Sequence, residues 1–190
     1  DRFHVQKLAF EALQKMRVKA RWEALDKESI QIAYAKACGK IYHAPTFENG
    51  DSRKQLLARS IYLLYKKESL WTESQRIRAG ILFREYPDLK KAYYLSMRLG
   101  LIYHQCKHKD TALTRLARWY DEVEKSGFLA FGRVIRSIQT HYLEIVNFFD
   151  RRSTNAASES FNAKIKDFRT QFRGVKDRTF FLFRLTKIYA

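Results

Sequence analysis

Residues 158–169 read SESFNAKIKDFR, with Glu159 followed by Lys164, Lys166 and Arg169. A carboxylate is a hard oxygen donor suited to magnesium, and lysine and arginine are the donors phosphate accepts. With a helix from about Asn155, Phe161, Ile165, Phe168 and Phe172 fall on one stripe and must face a core. Glu159, Asn162, Lys166, Arg169 and Arg173 fall on another. Two readings of that polar stripe stand side by side. In one it is a solvated face, Glu159 supporting neighbouring bases by weak pairing. In the other Glu159 binds a divalent cation while the bases hold phosphates beside it.

Other residues could also do chemistry. His104, Cys106 and His108 form H-x-C-x-H, whose two histidines lie about one helical turn apart and could share zinc. A fourth ligand is not evident, and the alternative is a helix end with partly exposed histidines. Trp119 lies on the stripe of Leu116 and Val123, a core position; its other reading is a ring that stacks on an unpaired base. Trp22 and Trp71 read as packing. Arg151 and Arg152 directly precede the Glu159 segment and read either as a solvated hinge or as phosphate contacts.

These residues need a scaffold, and the composition bounds it. The 190 residues carry a formal charge of +17, with 46% hydrophobic and 15% aromatic residues and only seven glycines and two prolines. Such a chain folds, is helix-rich and meets a polyanion, most often nucleic acid. The bases are spread along the chain rather than gathered in one amphipathic segment, which argues against a membrane surface. No apolar run is long enough to span a bilayer. Cys38 and Cys106 form no close pair, as expected of a reducing compartment. The first residue is Asp rather than Met, as in a piece of a longer protein.

The apolar periodicity predicts an all-α fold of about eight helices. The first spans residues 1–37, with Val5, Leu8, Ala9, Ala12, Leu13 and Met16 at three- and four-residue spacing. Residues 39–51 are an irregular connection, and a second helix is expected over 52–67. Thr72 with Gln75 forms a capping box that starts a third. Pro87 ends that helix or opens the next, which covers about 88–106. Asp110 or Thr111 should cap a fifth that stops at Gly127. A sixth follows the seam Phe128, Phe131, Ile135, Ile138, Tyr142, Ile145 and Phe149. A seventh helix carries Glu159, QFRGVKDR is a loop, and a last helix ends near Tyr189. No period-two strand pattern and no internal repeat is present.

The segment STNAASESFNAKIKDFR resembles the signature around the last catalytic glutamate of bacterial DDE transposases of the ISL-three type. Thr154, Asn155, Glu159, Asn162, Lys164, Ile165 and Lys166 match in order, with Ala156 where the family usually has glycine. Arg173-Gly174-Val175-Lys176 and Phe183-Arg184-Leu185 are similar to the family's later turn and ending. DRFHVQKLAFEALQKMR resembles the family's second catalytic aspartate and the helix behind it, which makes Asp1 that acid. LTRLARWYDEVEKSGF resembles its tryptophan-containing helix and Ser-Gly turn.

The resemblance implies an RNase H-like catalytic domain whose sheet and first aspartate lie mostly upstream of residue 1. It divides the chain into a helix after the second aspartate (1–37), an all-helical insertion (38–150) and basic C-terminal helices carrying the catalytic glutamate (151–190). It implies cleavage of transposon ends and joining of the 3′-hydroxyls to a target, with Asp1 and Glu159 as catalytic residues and ligands of Mg2+, or Mn2+. Arg151, Arg152, Asn162, Lys166, Arg169, Arg173 and Trp119 form the expected DNA-contact set. The partners implied are transposon-end and target DNA and a second copy of the full-length protein, with no membrane, in the bacterial cytoplasm at the nucleoid. The 190 residues alone are expected to be inactive. Two rival readings remain open: a non-catalytic basic nucleic-acid-binding module, and a bundle whose charge serves solubility.

Overall fold

The computed structural model describes residues 2–141 together with 145 and 149, with side chains from His4 onward. Among these residues six α-helices occur and no strand beyond an isolated bridge between Thr46 and Ser52. They are α1 (Arg2–Ala37), α2 (Arg53–Arg59), α3 (Glu73–Glu85), α4 (Pro87–Gln105), α5 (Lys109–Ser126) and α6 (Gly132–Thr140). Short 3-10 turns lie at Leu63–Tyr65, Glu68–Leu70 and Leu129–Phe131. The all-α expectation holds. The helices expected after residue 150 lie outside the described residues.

α1 and α4 form the central pair. α2, α6 and the 129–131 turn pack on α1, while α3 and α5 pack on α4. Val5, Leu8, Ala9, Ala12 and Leu13 of α1 meet Leu89, Ala92, Tyr93, Ser96 and Leu99 of α4 in one buried core. Small residues set how closely these helices approach. Ser96 Oγ donates to the Ala9 carbonyl at 3.2 Å, and Gln6 Nε2 donates to the Ser96 carbonyl at 3.0 Å. A Cβ on Gly100 would lie 2.7 Å from Gln6 Oε1, so a larger residue there would displace Gln6.

Local signals account for most helix ends. Thr72 Oγ1 accepts from the Gln75 N–H at 3.3 Å, and Gln75 Oε1 accepts from the Thr72 N–H at 3.2 Å. Pro87 occupies the first turn of α4, where its missing N–H costs nothing. Gly127 ends α5 with φ 67°, a left-handed conformation that favours glycine. The start of α5 differs from expectation: His108 is the N-cap, and Asp110 already lies inside the first turn, its carbonyl accepting from Thr114 Oγ1 at 2.9 Å.

The helix expected over 52–67 is the main correction. α2 ends at Arg59, and the chain continues through two 3-10 turns. Side-chain donors from elsewhere in the fold reach backbone carbonyls along this stretch. Arg17 Nη1 donates to Leu57 O at 2.8 Å, Gln14 Nε2 to Ile61 O at 3.3 Å, Trp71 Nε1 to Leu63 O at 2.8 Å and Tyr93 Oη to Lys66 O at 2.8 Å. Backbone groups satisfied from outside no longer need the helical ladder. The segment thereby folds over the core, burying Leu56, Leu57, Leu63 and Leu64.

The expected sixth helix is also shorter at its start. Residues 129–131 form a 3-10 turn before α6, and Phe131, Val134, Ile138, Ile145 and Phe149 are buried.

Candidate functional site

The two candidate catalytic acids, Asp1 and Glu159, lie outside the described residues, as do Arg151, Arg152, Asn162, Lys166, Arg169 and Arg173. Trp119 is described. It is 1% exposed, its indole N–H donates to Leu95 O at 2.8 Å, and its ring lies 6.5 Å from that of Phe131. Neither face is open to a base, which corrects its inclusion among DNA-contact residues: Trp119 locks α5 onto α4.

The other candidates separate in the same way. His104 is exposed at the last turn of α4, Cys106 is 2% exposed and turned into the core, and His108 is exposed ahead of α5. The three do not converge. Among the described residues no group of three or more His, Cys, Asp or Glu side chains could hold a metal ion. His4 is exposed in the first turn of α1. Trp71 packs against Phe83 and Tyr93 with ring centroids 6.1 and 5.6 Å away, as expected. Trp22 does not pack: it is 62% exposed.

Among the described residues one carboxylate is fully buried. Asp51 is 0% exposed and receives Arg59 Nη1, Arg78 Nε at 2.8 Å and Asn49 Nδ2 at 2.9 Å. Its backbone carbonyl accepts from Phe47 N–H at 2.9 Å. Burial pushes the Asp51 carboxyl up, but the hydrogen bonds from Arg78 and Arg59 outweigh it and hold the group below its ordinary range. Every oxygen is committed to cations of its own chain, so Asp51 ties the 46–52 loop to α2 and α3 rather than holding a metal.

The arginines fall into two groups. Those of α2 to α4 are largely engaged: Arg53 with Glu85 at 2.7 Å, Arg78 and Arg59 with Asp51, Arg84 with Glu48 at 2.8 Å, and Arg98 with Glu122. Arg115, Arg118, Arg133 and Arg136, on α5 and α6, are exposed, and no ion pair is formed by them among the described residues. Arg115 and Arg118 border a shallow concavity of about 330 Å³ together with Asp110, Thr111 and Thr114. Sequence reasoning misses this group, although a usable signal exists: Arg115, Arg133 and Arg136 have no acid three or four residues away.

Comparison with known protein families places the chain among transposases, through a family model so described that matches residues 1–185. That family is the ISL3 group of DDE transposases, the ISL-three type, and the chain belongs to it. Membership implies DNA as the partner. No curated protein and no solved structure matches the chain. Among the described residues no helix is long and apolar enough to cross a membrane.

Proposed function

We propose that the chain supplies two of the three carboxylates of a DDE active site, Asp1 and Glu159, and the basic residues that hold DNA against them. The observation carrying this reading is the family match over residues 1–185, which spans both acids and the ordered run Thr154, Asn155, Glu159, Asn162, Lys164, Ile165 and Lys166. The donor chemistry fits: two carboxylates suit Mg2+ or Mn2+, ions that prefer oxygen over imidazole or thiolate. When bound, such ions activate the attacking oxygen and stabilise the leaving one in an in-line displacement at phosphorus.

The remaining work belongs to the chain. Glu159 and Asp1 present carboxylate oxygen donors. Lys166, Arg169 and Arg173, which follow Glu159 in the sequence, neutralise phosphates near the cut, and Arg151 and Arg152, which precede it, do the same. Asn162 donates to a phosphate or sugar oxygen without adding charge. The reading includes cleavage at transposon ends, joining to a target, and self-association of the full-length protein at the bacterial nucleoid.

The test is Glu159→Gln in a parent chain that holds all three carboxylates. The amide keeps the shape and removes the charge that a divalent ion requires. Magnesium-dependent strand cleavage is expected to vanish while DNA affinity stays within about twofold, since one carboxylate adds little to a charge-dominated interface. Cleavage that survives, or binding that disappears together with it, would favour a non-catalytic basic module instead.

A further inference from the structure

α1 runs 36 residues, about 54 Å, yet its last buried residue is Ala24. Beyond Arg17 only Ala20 and Ala24 keep to the core face, and the large apolar residues leave it. Val18, Trp22, Leu25, Ser29 and Ile32 follow one another at spacings of four, three, four and three. That order keeps them on a single stripe of the kind that seats a second helix. Val18 is 39% exposed, Trp22 62% and Ile32 46%; Leu25 is half-buried and Ser29 exposed. The neighbouring face, with Ala24, Glu28 and Gln31, is occupied by the 42–54 segment: Tyr42 Oη donates to Gln31 Oε1 at 2.9 Å, and Lys54 pairs with Glu28 at 2.9 Å. The stripe itself has no cover among the described residues.

Charge identifies the occupant. Arg17 is buried against Leu57 O and Glu28 is taken by Lys54; of the charges left beside the stripe, residues 15–21 carry Lys15, Lys19 and Arg21 and no acid, whereas residues 23–27 carry Glu23 and Asp26 against Lys27. A second copy laid parallel and in register would set base on base and acid on acid. Laid antiparallel, the basic third of one helix meets the acidic third of the other. Opposing Val18 to Ser29 of the second copy also opposes Trp22 to Leu25, and brings Lys19 beside Asp26 on both sides of the dyad.

We propose that this stripe is a self-association surface: two chains pair antiparallel through residues 18–32 of α1, centred on Trp22 and Leu25. The proposal gives a place to the self-association included in the functional reading, but it stands on α1 alone and needs no catalytic chemistry. The seam is short, at the lower end of stable interfaces of about 1,200 Å² in total, so a concentration-dependent equilibrium is expected.

The test uses the 190-residue chain with Cys38→Ser, which removes its exposed thiol. Sedimentation should show a monomer–dimer equilibrium, and Trp22→Glu should raise its dissociation constant roughly thirtyfold, the scale of losing an aromatic anchor. Single cysteines then read the orientation. A mixture of Val18→Cys and Ser29→Cys chains should give crosslinked heterodimer on mild oxidation, and Ser29→Cys alone should not crosslink. A monomer at all concentrations overturns the proposal. So does a dimer indifferent to Trp22→Glu, or efficient crosslinking of Ser29→Cys to itself, which would mean parallel pairing. Cleavage by the parent is a separate readout: a wild-type chain that stays monomeric while the parent shows Glu159-dependent cutting refutes this surface and leaves the catalytic reading intact, and a Trp22-dependent dimer beside cleavage that survives Glu159→Gln does the reverse.

Discussion

Replacing Asp51 by asparagine should be among the most damaging isosteric changes in this fold. The carboxylate is 0% exposed and accepts from Arg59, Arg78 and Asn49. An amide exchanges one acceptor oxygen for a donor nitrogen, which must then face a donor. Arg59 is 56% exposed and can turn to water, but Arg78 is 17% exposed and cannot. Breaking a buried pair from one side costs about 3–5 kcal/mol, and the escape of Arg59 puts this case near 3 kcal/mol. For a unit of 150 residues that is a fall in Tm of roughly 6–12 °C.

The pH dependence gives a second check on Asp51. The folded carboxyl is held below its ordinary value of 3.8, so it binds a proton less readily folded than unfolded. Its stabilisation is therefore complete above about pH 4 and is lost as pH falls through the folded value. Thermal melts followed by circular dichroism from pH 7 to pH 3 should show the gap between wild type and Asp51→Asn narrowing with acid. A gap under about 2 °C at pH 7, or one that stays constant to pH 3, would refute the reasoning.

Three further outcomes are expected. Trp119→Phe should lower stability by about 2–3 kcal/mol in urea unfolding, through the smaller ring volume and the lost indole hydrogen bond to Leu95 O, while leaving DNA affinity unchanged. Gly127→Ala should cost about 1 kcal/mol in the same assay, since φ 67° strains any Cβ although nothing lies within 4 Å to clash with it. Arg169→Ala with Arg173→Ala should reduce the slope of log affinity against log salt by about 0.9 for each phosphate that is no longer neutralised, read by fluorescence anisotropy on duplex DNA.

How much of this is legible in the sequence depends on whether a feature is local. The capping box at Thr72 and Gln75, Pro87 in the first turn of α4 and Gly127 at the end of α5 are set by residues within one turn, and each lies where the pattern predicts. The interruption of α2 is not legible, because its cause is distant: Arg17 and Gln14 lie 40 and 47 residues before the carbonyls they reach, and Tyr93 lies 27 after. Periodicity sees Leu56, Leu57, Leu63 and Leu64 as one amphipathic run and cannot tell a helix from a helix plus two tight turns that bury the same leucines. Trp22 misleads for a related reason. A large aromatic at helical spacing is usually core, and nothing within the sequence of α1 states that the core ends near Ala24.

The candidate site divides along the same line. Its acids and bases are legible as a motif, since the order of Asn155, Glu159, Asn162 and Lys166 is itself local. Of the arginines of α5 and α6, Arg115, Arg133 and Arg136 are legible by their lack of a nearby acid, but Arg118 is not, because its availability is a matter of where the acids go. Arg118 has Asp121 and Glu122 within about one turn, which in sequence looks like a neutralised helix. In the fold Glu122 is taken by Arg98 of α4, and Asp121 by Lys125 at 2.7 Å. A tertiary pair takes Glu122 and a pair within α5 takes Asp121, which leaves Arg118.

α1 shows how one continuous helix serves two purposes. Up to Leu13 its apolar residues follow the core, and Ala24 is its last buried contact. Between them Arg17 is 6% exposed with no carboxylate partner among the described residues; burial lowers its guanidinium, with the charge of Arg21 acting in the same direction. It remains charged, because even a lowered arginine is far above neutral pH, and its donors are met by Leu57 O and by Gln14 Oε1 at 2.6 Å. A buried cation satisfied by neutral acceptors contributes little net stability. What it does supply is a donor at the point where α2 ends, taken up by the Leu57 carbonyl. Beyond it the core face of α1 continues only through the small side chains Ala20 and Ala24, while the large apolar residues Val18, Trp22 and Ile32 lie on the open face. From Arg17 onward α1 therefore serves its own core with alanines alone and presents its large apolar residues to another chain.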